Sequence, residues 1–216
     1  NCTNKLISKK VFLKNKILTP KYFSLQKNEF SKRNLKIYLR KNKIDFPVVV
    51  KPVSEGSSLG VKISYNFLNL KNSSIKLFKK YDELIFEKYI AGQEIQVAVI
   101  NNTPLGAIEL IPKRSFYDYK AKYTKSAKTK HIMPARLSKK NYKMVLKIAK
   151  KAHGALQCKG VTRSDFKFLN NKFYLLEINT QPGMTNLSLV PEIANYYGIN
   201  FKKLVKKILL DASLNR

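Results

Sequence analysis

Acidic residues are scarce in this chain: 13 Asp and Glu stand against 43 Lys and Arg among 216 residues, a formal net charge of +30. A surplus of that size points first to nucleic acid or to an anionic surface. Its distribution argues otherwise. The excess is mostly Lys, spread from end to end and accompanied by abundant Asn and Ile, residues whose codons are rich in adenine and thymine, so genome bias explains it as well as selection does. The densest basic segment, Lys27 to Lys43, interleaves its charges with Phe30, Leu35, Ile37, Tyr38 and Leu39 and reads as a solvated helix or loop face.

Cysteine is nearly absent. Cys2 and Cys158 are the only two, without Cys-x-x-Cys spacing, which excludes a disulfide framework and suits a reducing cytoplasm. No apolar run approaches the roughly 18 residues of a membrane helix, and Phe201 to Leu214 is broken by lysines, so the chain reads as soluble, with no membrane partner. The start, Asn1-Cys2-Thr3-Asn4, has neither an initiator methionine nor a signal pattern, and a piece of a longer chain is expected. There is no internal repeat and no low-complexity linker. With 44% hydrophobic and 11% aromatic residues, disorder is excluded, and the length allows two lobes sharing elements near Glu87 to Gln93.

What is present alternates between short β-branched runs and amphipathic stretches. Lys5 to Lys16 has helical spacing and stops before Thr19-Pro20. Phe46 to Pro52 reads as a strand, followed by a glycine-punctuated loop and a second strand, Val61 to Ser64. A helix over Asn69 to Tyr81 and strands over Leu84 to Tyr89, Ile95 to Ile100 and Leu105 to Leu110 follow. Residues 115–131 carry aromatics and lysines without periodicity, which predicts a functional loop, a candidate lid. Ser138 to Leu156 is a Ser-capped helix, and two strands and a last helix finish the chain.

Three constellations carry chemistry. Lys51-Pro52-Val53-Ser54-Glu55-Gly56-Ser57-Ser58-Leu59-Gly60 follows a buried strand; a Gly/Ser hairpin by itself can be a plain turn, but its glycines, N–H groups, hydroxyls and root lysine suit phosphate oxygens. It is not a Walker loop, because Gly-Lys-Ser/Thr is missing and a strand follows. Arg163-Ser164-Asp165 and Glu177-Ile178-Asn179 lie across an expected hairpin, and their oxygens match the needs of Mg²⁺, unless Glu177 and Asn179 merely end a strand at the surface. A two-residue turn at Asn170-Asn171 would pair Asp165 with Leu176, whereas a three-residue loop, Asn170 to Lys172, pairs Asp165 with Glu177 and Arg163 with Asn179; an odd-length loop is therefore expected. Asn179 to Pro191 is a turn leading to a helix, suited to a carboxylate or developing oxyanion, or simply a capped connector.

Taken together, these residues resemble the D-alanine–D-alanine ligases of the ATP-grasp superfamily. The resemblance rests on Phe46 to Gly60, Phe86-Glu87-Lys88-Tyr89, Phe116 to Tyr123, Arg163-Ser164-Asp165 and Leu176 to Thr185, in order over nearly the whole chain. It implies an α+β ATP-grasp fold of two lobes with ATP between them, a central lobe over 1–87 with its phosphate loop at 54–60, and a C-terminal lobe over 88–216 with the lid at 115–131. It further implies that Lys5 and Lys51 contact ATP phosphates under the Ser57-Ser58 loop, that Glu87, Lys88 and Ile90 hold adenine, and that Glu94 holds ribose. Asp165, Glu177 and Asn179 would ligate two Mg²⁺ or Mn²⁺ ions. Arg163 and the Gly183 N–H would stabilise the tetrahedral intermediate, Ser188 and Leu189 would receive the second D-alanine's carboxylate, and Lys122 and Tyr123 would sit on the lid. The implied reaction is phosphorylation of the first D-alanine carboxylate followed by aminolysis by the second, in peptidoglycan precursor synthesis. It needs positioning and charge neutralisation rather than a covalent nucleophile.

The family's N-terminal α/β domain has no counterpart in this sequence, so nucleotide binding with poor ligation is expected of the chain alone; family members are commonly homodimers, but much of that contact lies in the missing domain. Lys120 stands where the family has Glu beside the lid lysine, and Tyr123 favours an amine acceptor. His131, His153 and Cys158 are read as structural or solvent residues. Two further readings are another ATP-grasp carboxylate–amine ligase and a basic module that binds RNA or an acidic partner; no specific nucleic acid is expected under the first reading.

Overall fold

A computed structural model of the chain describes residues 2–56, 58–112, 129–185 and 188–212. The β-branched runs form antiparallel strands and the stretches of three- and four-residue apolar spacing form helices, grouped into two compact units.

One unit comprises Thr3–Ile7 and Pro20–Ala91. It holds the first turn of α1 (Lys5–Lys14), then β1 (Tyr22–Gln26), α2 (Lys32–Lys41), β2 (Val48–Pro52), β3 (Lys62–Ser64), α3 (Phe67–Phe78) and β4 (Glu83–Lys88), with strand order β1-β4-β2-β3. Alternation sends Val48, Val50, Leu84 and Phe86 to one face, where they pack with Leu35 and Leu39 of α2 and Leu70, Leu77 and Phe78 of α3. Both helices start at polar caps: the Ser31 side chain accepts from the Asn34 N–H and that of Asn66 from the Asn69 N–H. Leu35 and Leu39 are buried while Ile37 is exposed, so the basic segment is one solvated helix face preceded by β1. β1 is not among the strands expected from the sequence, and Phe23 and Leu25 alternate toward the core in it.

The other unit comprises Cys2, Ser8–Thr19 and residues from Gly92 onward. Its strands β5 (Gln93–Ile100), β6 (Thr103–Ile111), β7 (Lys130–Ile132), β8 (Val161–Leu169) and β9 (Lys172–Asn179) are ordered β7-β6-β5-β8-β9. One sheet face carries Ile95, Val97, Val99, Phe166 and Phe173 against α4 (Lys139–Ala155) and Phe12 and Ile17. The other carries Ala98, Ile100, Ile108 and Leu110 against α5 (Leu189–Tyr196) and α6 (Phe201–Asp211). Further along β5, β8 and β9 this second face turns polar, and the candidate site lies there.

Four expectations need adjustment. The division falls at Ala91–Gly92 and places residues 8–19 with the later unit, whereas a boundary after Glu87 would cut β4 while Lys88 still pairs with Val48 of β2. The chain's last described part is two helices, separated by Gly198 at φ +78°. Of the expected lid, residues 130–131 enter β7; residues 115–128, with Lys120, Lys122 and Tyr123, lie outside the described residues.

The fourth concerns the β8–β9 hairpin. Its loop has two residues, not three: Asn170 and Asn171, at φ 49° and 57°, form the left-handed turn that matches strand twist. A β-bulge supplies the odd residue instead. Phe166 pairs with Leu175 and Asp165 with Glu177, leaving Leu176 extra on β9. The expected facing of Asp165 with Glu177 and of Arg163 with Asn179 is therefore reached by a different route.

Candidate functional site

In the first unit the phosphate-loop candidate springs from β2. The Lys5 N–H donates to the Val53 carbonyl at 3.1 Å, and the Lys5 ammonium donates to the carbonyls of Val53 (3.5 Å) and Glu55, tying the first turn of α1 to the loop. Gly60 has φ +72°, and a Cβ there would stand 2.8 Å from the Pro52 ring, so glycine is required to bring the loop back against β2. Ser58 also takes a left-handed backbone, at φ 61°. Ser57 lies outside the described residues.

Lys51 and Glu87 share the sheet face opposite the apolar one, and their side chains pair at 3.1 Å with 8% and 3% of their surface exposed. A pair this buried holds both charges in place, since either alone would face a desolvation cost of several kcal/mol, on the order of 3–5. Burial and the Glu87 charge push the Tyr22 phenol, its register partner on β1, above its ordinary value. Lys88 pairs with the exposed Asp45 at 3.8 Å, and Ile90 is buried.

In the second unit, Arg163, Asp165 and Lys167 alternate onto the polar face of β8. The Arg163 guanidinium donates to both Asp165 oxygens, Nε to Oδ1 at 2.8 Å and Nη2 to Oδ2 at 3.0 Å, and the Asn179 amide approaches Oδ2 at 3.4 Å. Glu177 faces Asp165 across the bulge. Next along the face, Lys167 donates to Glu94 at 3.0 Å, both largely buried. Among the described residues no trio of His, Cys, Asp and Glu gathers. Two carboxylates with an amide form an oxygen set that fits a hard cation taking its remaining ligands from phosphate and water.

The acceptor-loop candidate closes on itself. The Ser188 hydroxyl accepts from the Thr185 N–H at 3.0 Å and meets the Thr185 hydroxyl at 2.9 Å, so Ser188 occupies the N-cap position of α5 without capping it. A Cβ on Gly183 would lie 2.7 Å from that Ser188 oxygen. Leu189 is buried at the start of α5.

Other polar contacts were not anticipated. Arg136 makes a two-pronged contact with the buried Glu109, at 2.9 and 2.8 Å, and Gln93 donates to the same carboxylate at 3.2 Å. His131 pairs with Glu192 of α5 at 2.7 Å. His153 is buried against the Thr162 hydroxyl, and desolvation holds its imidazole below the usual value. Period-two counting along β8 would have placed Lys167 beside Asp165; no sequence signal marks Arg136 as the partner of Glu109.

This arrangement, two α+β units with a lysine-rooted loop in one and a carboxylate face in the other, defines an ATP-grasp protein. The family profile described as D-ala D-ala ligase C-terminus matches residues 11–210, and the chain belongs to that family. The chain is 60% identical over 215 residues to the D-alanine–D-alanine ligase of Pelagibacter ubique (strain HTCC1062), covering 99% of this chain and 69% of that one. The solved D-alanine–D-alanine ligase of Bacillus anthracis superposes with a TM-score of 0.84 at 35% identity, over 97% of this chain and 67% of that one. The same organism's enzyme solved with ATP superposes at 0.82 with 30% identity, covering 97% and 65%. The chain thus spans about two thirds of the length of these relatives.

Proposed function

We propose that the protein is the ATP-grasp part of a D-alanine–D-alanine ligase, working in the cytoplasm on ATP and two D-alanines to make the dipeptide for peptidoglycan precursors. The observation that carries this reading is the facing of Arg163 and Asp165 with Asn179 and Glu177 on one sheet face of the second unit. The ATP-bound relative supports the choice of nucleotide, and the lysine-rooted loop supports it independently.

In this reading Lys5, fixed to the loop backbone, and Lys51, fixed by Glu87, present ammonium groups to the nucleotide phosphates, with Ser57 and Ser58 closing over them. Glu87, Lys88 and Ile90 receive adenine, and Glu94, held by Lys167, accepts from the ribose hydroxyls. Asp165, Glu177 and Asn179 hold magnesium, which supplies neutralisation of phosphate charge. Arg163, held by Asp165, stabilises, with the Gly183 N–H, the oxyanion formed when the second D-alanine's amine attacks the acyl phosphate. Ser188, held by Thr185, and the Leu189 N–H receive the acceptor's carboxylate. Lys122 and Tyr123 act from the lid.

ATP-dependent phosphate release with D-alanine and Mg²⁺, run on this chain and on the product of its complete reading frame, tests the reading. Release only by the longer form is expected, because the relatives are half as long again. No turnover by either form, with Mg²⁺-dependent ATP binding intact, would remove D-alanine as the substrate and leave another carboxylate–amine ligase.

A further inference from the structure

Gln96 is a polar residue where the sheet alternation calls for an apolar one. It lies on β5 on the same face as Ala98 and Ile100, whose side chains join the apolar cluster beneath α5 and α6, and its β6 partner is Ile108 of that cluster. It is 1% exposed, and its Oε1 is buried without a hydrogen-bond partner among the described residues. A buried amide oxygen left without a donor gives up its hydration for nothing, a cost that a leucine of similar size would avoid.

Its other neighbour explains the position. Gln96 is the direct cross-strand partner of Asp165 on β8, and Asp165 is in turn the partner of Glu177 on β9. One transverse row therefore carries three oxygen-bearing side chains in register, Gln96, Asp165 and Glu177. Asp165 cannot satisfy the Gln96 Oε1, because a carboxylate and an amide oxygen are both acceptors. The missing partner is a donor that comes with a ligand of the row. A hydrated divalent cation is such a ligand, since its bound waters are strong donors and an oxygen-only site leaves several of them in place.

We propose that Gln96 is a positioning residue of the metal site, its carboxamide oxygen accepting a hydrogen bond from a water bound to the cation that Asp165 and Glu177 hold. The inference rests on the metal reading given above and extends it by one strand. Its physical role is to fix the orientation of the hydrated ion relative to Asp165, as outer-shell partners do at other metal sites.

The test uses the product of the complete reading frame with saturating ADP and measures Mn²⁺ affinity from the electron paramagnetic resonance signal of free Mn²⁺. Gln96→Leu is expected to weaken Mn²⁺ binding about 10-fold, the lower end of the range for outer-shell partners, with the thermal midpoint of the metal-free protein unchanged or raised. Gln96→Glu, which keeps the acceptor, is expected to bind at least as tightly as the parent. Unchanged Mn²⁺ affinity in Gln96→Leu, with binding lost in Asp165→Asn, would overturn the role of Gln96 alone. Retention of binding in both variants would overturn the metal reading and this inference with it. Weakened binding in Gln96→Leu accompanied by a fall in the metal-free midpoint would mark Gln96 as a packing residue and also overturn the proposal.

Discussion

Asp165 and Glu177 face each other across β8 and β9 because Leu176 is an extra residue in β9, one position before the glutamate. The two-residue turn at Asn170-Asn171 sets one register near the hairpin tip, and the bulge shifts it by one before the site is reached. Both devices have to hold for the carboxylates to share a face.

The turn can be tested on its own. Asn171 sits at φ 57°, where glycine is free of Cβ strain and a β-branched residue costs about 1–2 kcal/mol. Asn171→Gly is expected to leave stability unchanged or slightly raised, and Asn171→Val to lower it by about that amount, read from urea unfolding midpoints.

The buried pair of Lys51 and Glu87 predicts strong coupling. Removing one partner, in Lys51→Met or Glu87→Leu, strands a buried charge and is expected to cost about 3–5 kcal/mol. The double variant should recover most of that loss while still failing to bind nucleotide. A double-mutant cycle by denaturant unfolding, with ATP binding by calorimetry, measures both.

Gly183→Ala should act on turnover more than on folding. The added methyl would sit 2.7 Å from the Ser188 oxygen and push the acceptor loop from its closed form. A displacement near 1 Å in a positioned site costs on the order of 100-fold in rate. The expected result is a loss of that size in kcat/KM for the second D-alanine, with the thermal midpoint nearly unchanged.

Acid should weaken the second unit through Glu109. Hydrogen bonds from the Arg136 guanidinium hold its carboxyl below the usual value, against desolvation. A carboxylate with a depressed folded-state pKa contributes stability that is complete above its unfolded value, about 4.3, and is lost as pH falls through the folded one. Glu109→Gln should therefore be less stable than the parent at pH 7, with the difference shrinking below about pH 4. Urea unfolding across that range checks the sign.

The pairing of Glu94 with Lys167 at 3.0 Å predicts a sugar-specific effect. A carboxylate held by one oxygen keeps the other for a hydroxyl, so Glu94→Gln should weaken ATP more than 2′-deoxy-ATP. We expect about a 10-fold loss for ATP, the size of a charge-assisted hydrogen bond. Equal losses for the two nucleotides would remove Glu94 from the ribose site.

Much of this protein was readable along the chain. The run Val48 to Pro52 had to be a strand because its consecutive β-branched residues are closed by Pro47 and Pro52, and the loop after it had to turn at Gly60. The family was legible as a resemblance, carried by the runs Phe46 to Gly60, Phe86 to Tyr89, Phe116 to Tyr123, Arg163 to Asp165 and Leu176 to Thr185 standing in order along the chain. What a single strand's pattern does not carry is its register against a neighbour. Hairpin counting demanded an odd loop for Asp165 to meet Glu177, and the fold used an even turn with a bulge, since the left-handed asparagines satisfy the turn and Leu176 absorbs the mismatch.

Pairings between strands distant in sequence were hidden for the same reason. Lys51 with Glu87, Glu94 with Lys167, and Arg136 with Glu109 are chosen by which faces are buried together, and burial is a property of the assembled sheet. The sequence by itself determined the elements and the inventory of charged groups, because strand alternation, helical spacing and turn chemistry are local. Only the tertiary structure decided which acid each cation meets and which face Gln96 shares, because desolvation makes a buried charge or amide depend on whatever the fold places beside it.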